Sequence, residues 1–404
     1  MKRLLQINIT ANSGSHGKIA EEIGQLVQSK GWDSYISYGR FANPSKSHLI
    51  RIGGMWDERW HALESRFFDN HGLASRLVTK LFIKRIDELE PDIIHLHNIH
   101  GYYLNFPILF KYLGKINVPV VWTLHDCWPF TGHCAFFDYA GCERWKTGCY
   151  ASCPCKSNYP KSIFLDRSCN NWHIKKQYFT SLRNLTLVPV SNWLERMVLQ
   201  SFLGHYPIRV IHNGIDINVF KPSKDYDEIR KKFKIPRKKL ILGVANVWEE
   251  RKGLNDFLKL RSLMSDEYVI VLVGLKKNQI SSLPEGIIGI THTQDQYELA
   301  RLYSTADVFL NPTYEDNYPT TNLEAMACGT PVVTYKTGGS PEAVSEDTGL
   351  VIQQGELAAL FNASKYICEK GKDSWKDNCR KRAELFFDNT KCFNKYVDIY
   401  DSLI

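Results

Sequence analysis

The chain has 404 residues, 44% of them hydrophobic and 23% charged, with a net charge of +8. That length suits two domains with separate cores, and the composition excludes disordered and fibrous classes. No run approaches the roughly 18 apolar residues of a membrane span. The positive charge follows no nucleic-acid-binding motif, so no nucleic-acid partner is expected. The start, MKRLLQINIT, enters a strand pattern without a signal-type apolar region, which predicts a cytoplasmic protein.

Leu4 to Ile9 alternate into a first strand. A small polar turn from Asn12 to Lys18 follows, then an amphipathic helix with Ile19, Ile23, Leu26 and Val27 on one face. Strand, glycine turn and helix form a phosphate cradle, which makes Gly14 and Gly17 candidate ligand contacts. The turn is not a G-x-G-x-x-G. Residues 51–90 are rich in aromatic and basic side chains. Within them, Leu77, Val78, Leu81, Phe82 and Ile86 sit at helical spacing, on a helix that faces the core or lies on a membrane surface.

Two apolar runs, Pro91 to Leu96 and Pro119 to Leu124, end in His97-Asn98 and His125-Asp126. Ligands of open parallel sheets bind at the carboxyl ends of strands, so these four residues are placed to reach a cleft. Between Cys127 and Cys169 lie seven of the 11 cysteines. In a reducing compartment such a cluster favours metal over disulfide. Cys134, Cys142, Cys149 and Cys153 are candidate ligands for a structural zinc in a loop-rich insertion, with unligated thiols as the alternative.

Leu185 to Val190 read as a strand and Ser191-Asn192 as the cap of a helix through Leu203. The Asn-Gly step in HNGID and the Phe220-Lys221-Pro222 segment mark the passage to a second domain. The basic run from Arg230 to Lys239 is a solvated surface or a contact for anionic lipid. Alternation then restarts: strand Leu240–Ala245, helix Leu254–Leu263, strand Tyr268–Val273, helix Asp295–Ser304 and strand Asp307–Leu310. Helices over Leu357–Glu369, Lys376–Phe387 and Cys392–Leu403 close the chain.

The most informative stretch is TYEDNYPTTNLEAMACGTPVV, residues 313–333. It reads as a polar loop, a helix capped by Thr320 or Thr321, a stop at Gly329 and a new strand. Free N–H groups at that helix start suit phosphate, and carboxylates suit sugar hydroxyls. Asn317, Tyr318, Pro319 and Thr320 therefore join Glu315, Asp316 and Glu324 as candidate contacts to a nucleotide sugar.

Here the chain resembles the retaining glycosyltransferases of family 4, whose E-x7-E signature matches Asp316 and Glu324. The resemblance spans nearly the whole chain. It implies an α/β GT-B fold, two Rossmann-like domains facing a cleft. The acceptor-side domain would take residues 1–218 with the cysteine-rich insertion at about 127–169, the donor-side domain 219–388, and a helix from 389 to 404 would cross back. Glu324 would meet ribose hydroxyls, Asp316 (or Glu315) the donor sugar, Lys252 of the RKG step the diphosphate, and His125 of TLHD the sugar near the reacting carbon. Asn246 stands near the place of a family arginine, which leaves Arg251 as a substitute cation. The implied partners are a UDP- or GDP-linked sugar and a saccharide or lipid-linked saccharide, the latter bringing peripheral membrane contact at the inner face. No cofactor is required for the chemistry. A nucleotide-sugar 2-epimerase and an inactive nucleotide-sugar-binding protein are the alternatives.

Overall fold

The computed structural model describes residues 1–150 and 152–404. They divide into two compact units, Met1–His212 with Phe393–Ile404, and Asn213–Cys392. Residues after His212 go with the second unit because Ile215 bridges to Asp388 there.

The first unit carries six parallel strands: β1 (Arg3–Ala11), β2 (Asp33–Ala42), β3 (His48–Arg51), β4 (Ile93–Leu96), β5 (Val120–Leu124) and β6 (Leu185–Pro189). Their order is β3-β2-β1-β4-β5-β6. The winding reverses between β1 and β4, the place where doubly wound sheets bind ligands. Every residue of β4, β5 and β6 is buried, as continuous apolar strands require. β2 and β3 were not foreseen, because DSYISYGRFA and HLIR mix polar and aromatic residues without a run of core positions.

Helix α1 (Gly14–Ser29) buries Ile19, Ile23 and Val27. It begins at Gly14, so Gly14 and Gly17 stand in its opening turns and not in a loop ahead of it, with Ser13 at the N-cap. Helices α2 (Met55–Phe68) and α3 (Arg76–Leu89) follow. α3 buries Thr79, Phe82 and Ile86, whereas Leu77 and Leu81 are 70% and 52% exposed. The expected five-residue apolar face is therefore split, with its outer half in solvent. After α4 (Phe106–Leu113) and β5, the described residues of the cysteine-rich insertion carry two short 3-10 turns, Trp128–Phe130 and Arg144–Lys146. Lys175 of α5 (Ser168–Phe179) pins it, donating to the carbonyls of Trp128 at 2.7 Å and Thr131 at 3.0 Å. Burial pushes that ammonium down to about 7. α6 (Asn192–Leu199) is capped by the Ser191 hydroxyl, as expected, but stops at Leu199 and not at Leu203.

The second unit repeats the scheme with α7 (Tyr226–Lys232), β7 (Lys239–Val244), α8 (Leu254–Leu263), β8 (Tyr268–Val273), α9 (Lys277–Ile280), β9 (Ile287–Ile290), α10 (Gln296–Thr305), β10 (Val308–Asn311), α11 (Thr320–Ala327), β11 (Val332–Tyr335), β12 (Gly349–Ile352), α12 (Leu357–Lys370) and α13 (Lys376–Phe386). The sheet order is β12-β11-β10-β7-β8-β9. The reversal falls between β7 and β10, the two strands that lead into the Lys252 and Asp316 loops. In the basic run, Lys232 pairs with Glu298, Arg237 with Asp227, and Arg230 binds the Pro236 and Lys238 carbonyls. Much of its charge is thus neutralised locally. α14 (Asn389–Leu403) ends the chain, and from Phe393 onward it belongs to the first unit. Its Tyr396 accepts from Thr123 at 3.0 Å and its Tyr400 meets His95 at 2.7 Å. No helix among the described residues is long and apolar enough to cross a membrane.

Candidate active site

Two loops at the carboxyl edge of the second sheet come together. After β7 the chain makes a 3-10 turn at Glu250–Lys252 and enters α8 through Gly253. Gly253 has φ +73°, and a Cβ there would lie 2.2 Å from the Pro312 carbonyl. Only glycine lets the turn approach the loop after β10 so closely. The Arg251 carbonyl fastens the contact, accepting the Tyr314 N–H at 2.7 Å and the Thr313 hydroxyl at 3.2 Å.

This docking brings Lys252 Nζ within 2.5 Å of an Asp316 carboxylate oxygen. The side chains are 21% and 17% exposed, so the pair is half-screened and still open to a ligand. Arg251 donates to the Glu315 carbonyl at 3.3 Å and to the Glu249 carboxylate at 3.2 Å. Glu315, Asn317 and Tyr318 are buried, while Asn246 is exposed at the end of β7. Burial of Glu315 leaves Asp316 as the half-open carboxylate of the loop.

Pro319, not Thr320 or Thr321, occupies the N-cap of α11, and no side chain caps the helix. Thr320 is its first helical residue because proline's fixed φ already presets the entry. A buried network holds the helix start: Asn311 donates to Asn322 at 2.8 Å, and Asn322 donates to Ser340 at 3.0 Å. Gly338 of the glycine turn after β11 has φ +53°, and a Cβ there would sit 1.8 Å from the Asp316 carbonyl. Glu324, one turn further along α11, accepts from the Tyr303 hydroxyl at 3.0 Å. Tyr303 is fully buried, and burial followed by the adjacent Glu324 raises its hydroxyl well above the usual range. Sequence reading missed Tyr303. The available signal was a tyrosine in the core, whose hydroxyl must find a partner.

In the first unit the ends of β1, β4 and β5 gather histidines. His97 Nδ1 faces His125 Nε2 at 3.2 Å, and the His16 ring lies 5.9 Å from that of His125. Burial, then the neighbouring His97 and His16, holds His125 well below its usual value. His16 is pushed down to about 4 by burial and then by His100, and its Nδ1 is buried without a partner. Asp126 meets His100 at 3.0 Å and accepts the Trp128 N–H at 2.9 Å. Burial alone would raise that carboxyl, but His100 and the N–H lower it. Gly14 is exposed and Gly17 buried at the opening of α1, the latter accepting the Asn12 N–H at its carbonyl, 3.1 Å away.

The Cys153 thiol takes bonds from Cys134 and Cys155, which hold it well below its ordinary range. Cys149 accepts the Gly132 N–H at 3.2 Å and is pushed up to about 12, mainly by burial. All these cysteines are free thiols. Among the described residues no three His, Cys, Asp or Glu side chains stand so as to hold a metal ion. Cys134, Cys142, Cys149 and Cys153 are thus neighbours within the insertion without forming a cage as they are arranged.

Two family models match the chain: "Glycosyltransferase Family 4" over residues 41–219 and "Glycosyl transferases group 1" over residues 225–385. WcaC of Escherichia coli K12, named as a colanic acid biosynthesis glycosyl transferase, is 24% identical over 99% of this chain and all of its own length. Sucrose-phosphate synthase of Thermosynechococcus elongatus superposes with a TM-score of 0.75 at 17% identity, covering 100% of this chain and 99% of its own. Anabaena Alr3699/HepE, solved with UDP-glucose, superposes with a TM-score of 0.69 at 14% identity, covering 100% of both chains.

Proposed function

The chain is a GT-B glycosyltransferase, and from that premise we propose that it moves a sugar from a UDP- or GDP-linked donor to a saccharide or lipid-linked saccharide, with retention of anomeric configuration. The observation that carries this reading is the Lys252–Asp316 pair beside the start of α11. One loop junction there offers a cation for phosphate, a carboxylate for sugar hydroxyls and backbone N–H groups for further oxygens.

Lys252, with Arg251 beside it, neutralises the diphosphate as the anomeric carbon–oxygen bond breaks and its electron pair moves onto the phosphate oxygen. Asp316 accepts from donor-sugar hydroxyls and Glu324 from the ribose. Asn246, Asn317, Tyr318, Pro319 and Thr320 line the approach. Within the first unit, His125 is read as a sugar contact and Gly14 and Gly17 as phosphate contacts. The acceptor hydroxyl bonds to the anomeric carbon on the face the diphosphate leaves, and its proton passes to the departing phosphate oxygen. No enzyme nucleophile is needed, in contrast to retaining hydrolases with their two close carboxylates. The reaction so written uses no cofactor.

WcaC's name places that relative in polysaccharide assembly, and HepE was solved with UDP-glucose. Both support an activated-sugar donor here. A lipid-linked acceptor is supported by the outward residues of α2 and α3, where Trp56 and Trp60 are 73% and 63% exposed. The test is a thermal-shift screen of nucleoside diphosphates, then transfer from the matching donor to saccharide and lipid-linked acceptors, with the anomeric product read by NMR. A retained product supports the reading. An inverted product, or a new nucleotide sugar formed without acceptor, overturns it. Retention by anionic vesicles at low salt, lost on Trp56→Glu with Trp60→Glu, supports the membrane-facing acceptor, and no retention removes it.

A further inference from the structure

Another set of side chains gathers at the carboxyl edge of the first sheet, and all of it belongs to the first unit. Tyr102, in the loop after β4, has φ +74°, the left-handed region that bulky residues avoid and that recurs at functional sites. Its ring centre lies 5.9 Å from the Arg40 guanidinium near the end of β2. Burial raises the Tyr102 hydroxyl, and Arg66 and then Arg40 oppose that rise, so both cations lie near one phenol. Arg40 Nε is 2.6 Å from the Glu58 carboxylate. A guanidinium has five donors and a carboxylate engages at most two of them in a fork, so Arg40 keeps donors for a further anion. Arg66 is exposed in the last turn of α2. An apolar border adjoins these charges. The Arg66 carbonyl accepts the Ile163 N–H at 2.7 Å, and Phe67 stacks on Phe164 with ring centres 5.4 Å apart. Ile163, Phe164 and Leu165 stand exposed in a row. Tyr159, also exposed, turns its hydroxyl to His100 Nδ1 at 3.2 Å and sets its ring 6.4 Å from that of Tyr102. Asp126 holds His100 in turn at 3.0 Å.

We propose that Arg40, Arg66 and Tyr102 form an anion subsite within the first unit that grips the phosphate of a lipid-linked acceptor, with the Phe164 segment beside the hydrocarbon. The two guanidiniums and the phenol supply donors to the phosphate oxygens, and charge-assisted bonds of this kind are the strong ones. A saccharide carboxylate would use the same cations but would leave the exposed apolar row without an occupant. A ligand that joins phosphate to hydrocarbon answers both features. The proposal rests on the reading of the acceptor as lipid-linked, and adds which side chains of this unit hold its charged group.

The test is calorimetric titration of the full chain with geranyl diphosphate, with UDP or GDP at saturation so that the Lys252 loop does not compete. R40Q and R66Q are each expected to weaken binding about tenfold, the loss of one charge-assisted contact. R40Q also leaves Glu58 unpaired, so the exposed Arg66 gives the deciding variant. R59Q removes another cation of α2, one that lies over Trp56 at 5.1 Å, and should change binding less than about twofold if the subsite is specific. Geraniol and inorganic diphosphate should each bind at least about tenfold more weakly than geranyl diphosphate. The proposal is overturned if wild type and R66Q bind alike, if R59Q loses as much as R66Q, or if inorganic diphosphate binds as tightly as the lipid form. If neither nucleotide shifts the melting of the wild type, the transferase reading fails. Geranyl diphosphate is then titrated alone, and the same comparison of variants decides the subsite.

Discussion

Lys252 and Asp316 answer each other's charge when no ligand is present, and a diphosphate would compete for the lysine. Replacing Lys252 by methionine keeps the stem and removes the cation; replacing Asp316 by asparagine keeps the shape and removes the anion. Two unit charges 4 Å apart attract by about 4 kcal/mol at an effective dielectric of 20, before desolvation is subtracted. This pair is 17–21% exposed, between a surface pair and a buried one. A net coupling of about 1–2 kcal/mol follows, measurable as the interaction term of a double-mutant cycle on chemical denaturation. Both variants should lose activity but part on diphosphate binding. On the proposed reading K252M takes away the charge set against the leaving diphosphate, and kcat should fall about 10²–10³-fold, the scale of losing one preorganised donor. D316N frees the lysine, so a nucleoside diphosphate alone should bind at least as tightly as to the wild type, while kcat/KM for the intact donor falls. Thermal shift with the diphosphate and initial-rate kinetics with the donor read the two halves. If D316N weakens diphosphate binding as much as K252M does, the lysine is not a phosphate ligand held in reserve and the reasoning fails.

Y303F removes the hydroxyl that holds Glu324, a bond to a charged group worth about 1.5–3 kcal/mol, so donor KM should rise roughly tenfold or more with kcat nearly unchanged. An unaltered KM would show that Glu324 needs no such support. G338A places a methyl against the Asp316 carbonyl, in a conformation that costs a non-glycine residue about 1–2 kcal/mol by itself. It should lower both the unfolding midpoint and kcat/KM. Gly355 also has positive φ, but its nearest neighbour is the Tyr314 hydroxyl at 3.9 Å, so G355A should cost only the backbone term. Equal losses in the two alanine variants would remove the steric argument. Protein purified without chelator should carry about one zinc if Cys134, Cys142, Cys149 and Cys153 rearrange into a cage, and below half an equivalent the structural-zinc expectation is gone.

Much of the secondary structure of the second half was readable because its strands are short apolar runs bounded by turn residues, although β9 (Ile287–Ile290) was not foreseen. Leu254–Leu263 and Tyr268–Val273 form with the expected limits. The first half was less legible. β2 and α2 carry exposed aromatics and polar residues in place of a clean period, and Leu77 and Leu81 fit a helical stripe that the fold leaves in solvent. The cap of α11 was misread because Thr320 and Thr321 are good capping residues, while Pro319 ahead of them already bends the chain into the helix.

What the amino-acid order by itself determined was the alternation of strands and helices in two halves, and the acidic spacing of Asp316 and Glu324 that marks the family. Those are local properties, set by burial period and turn chemistry over a few residues. Only the tertiary structure decided that Lys252 reaches Asp316 and that Tyr303 holds Glu324. Hydrogen bonds and ion pairs need atoms within about 3 Å. Residues far apart in the chain meet at that range only after parallel strands bring their carboxyl ends side by side.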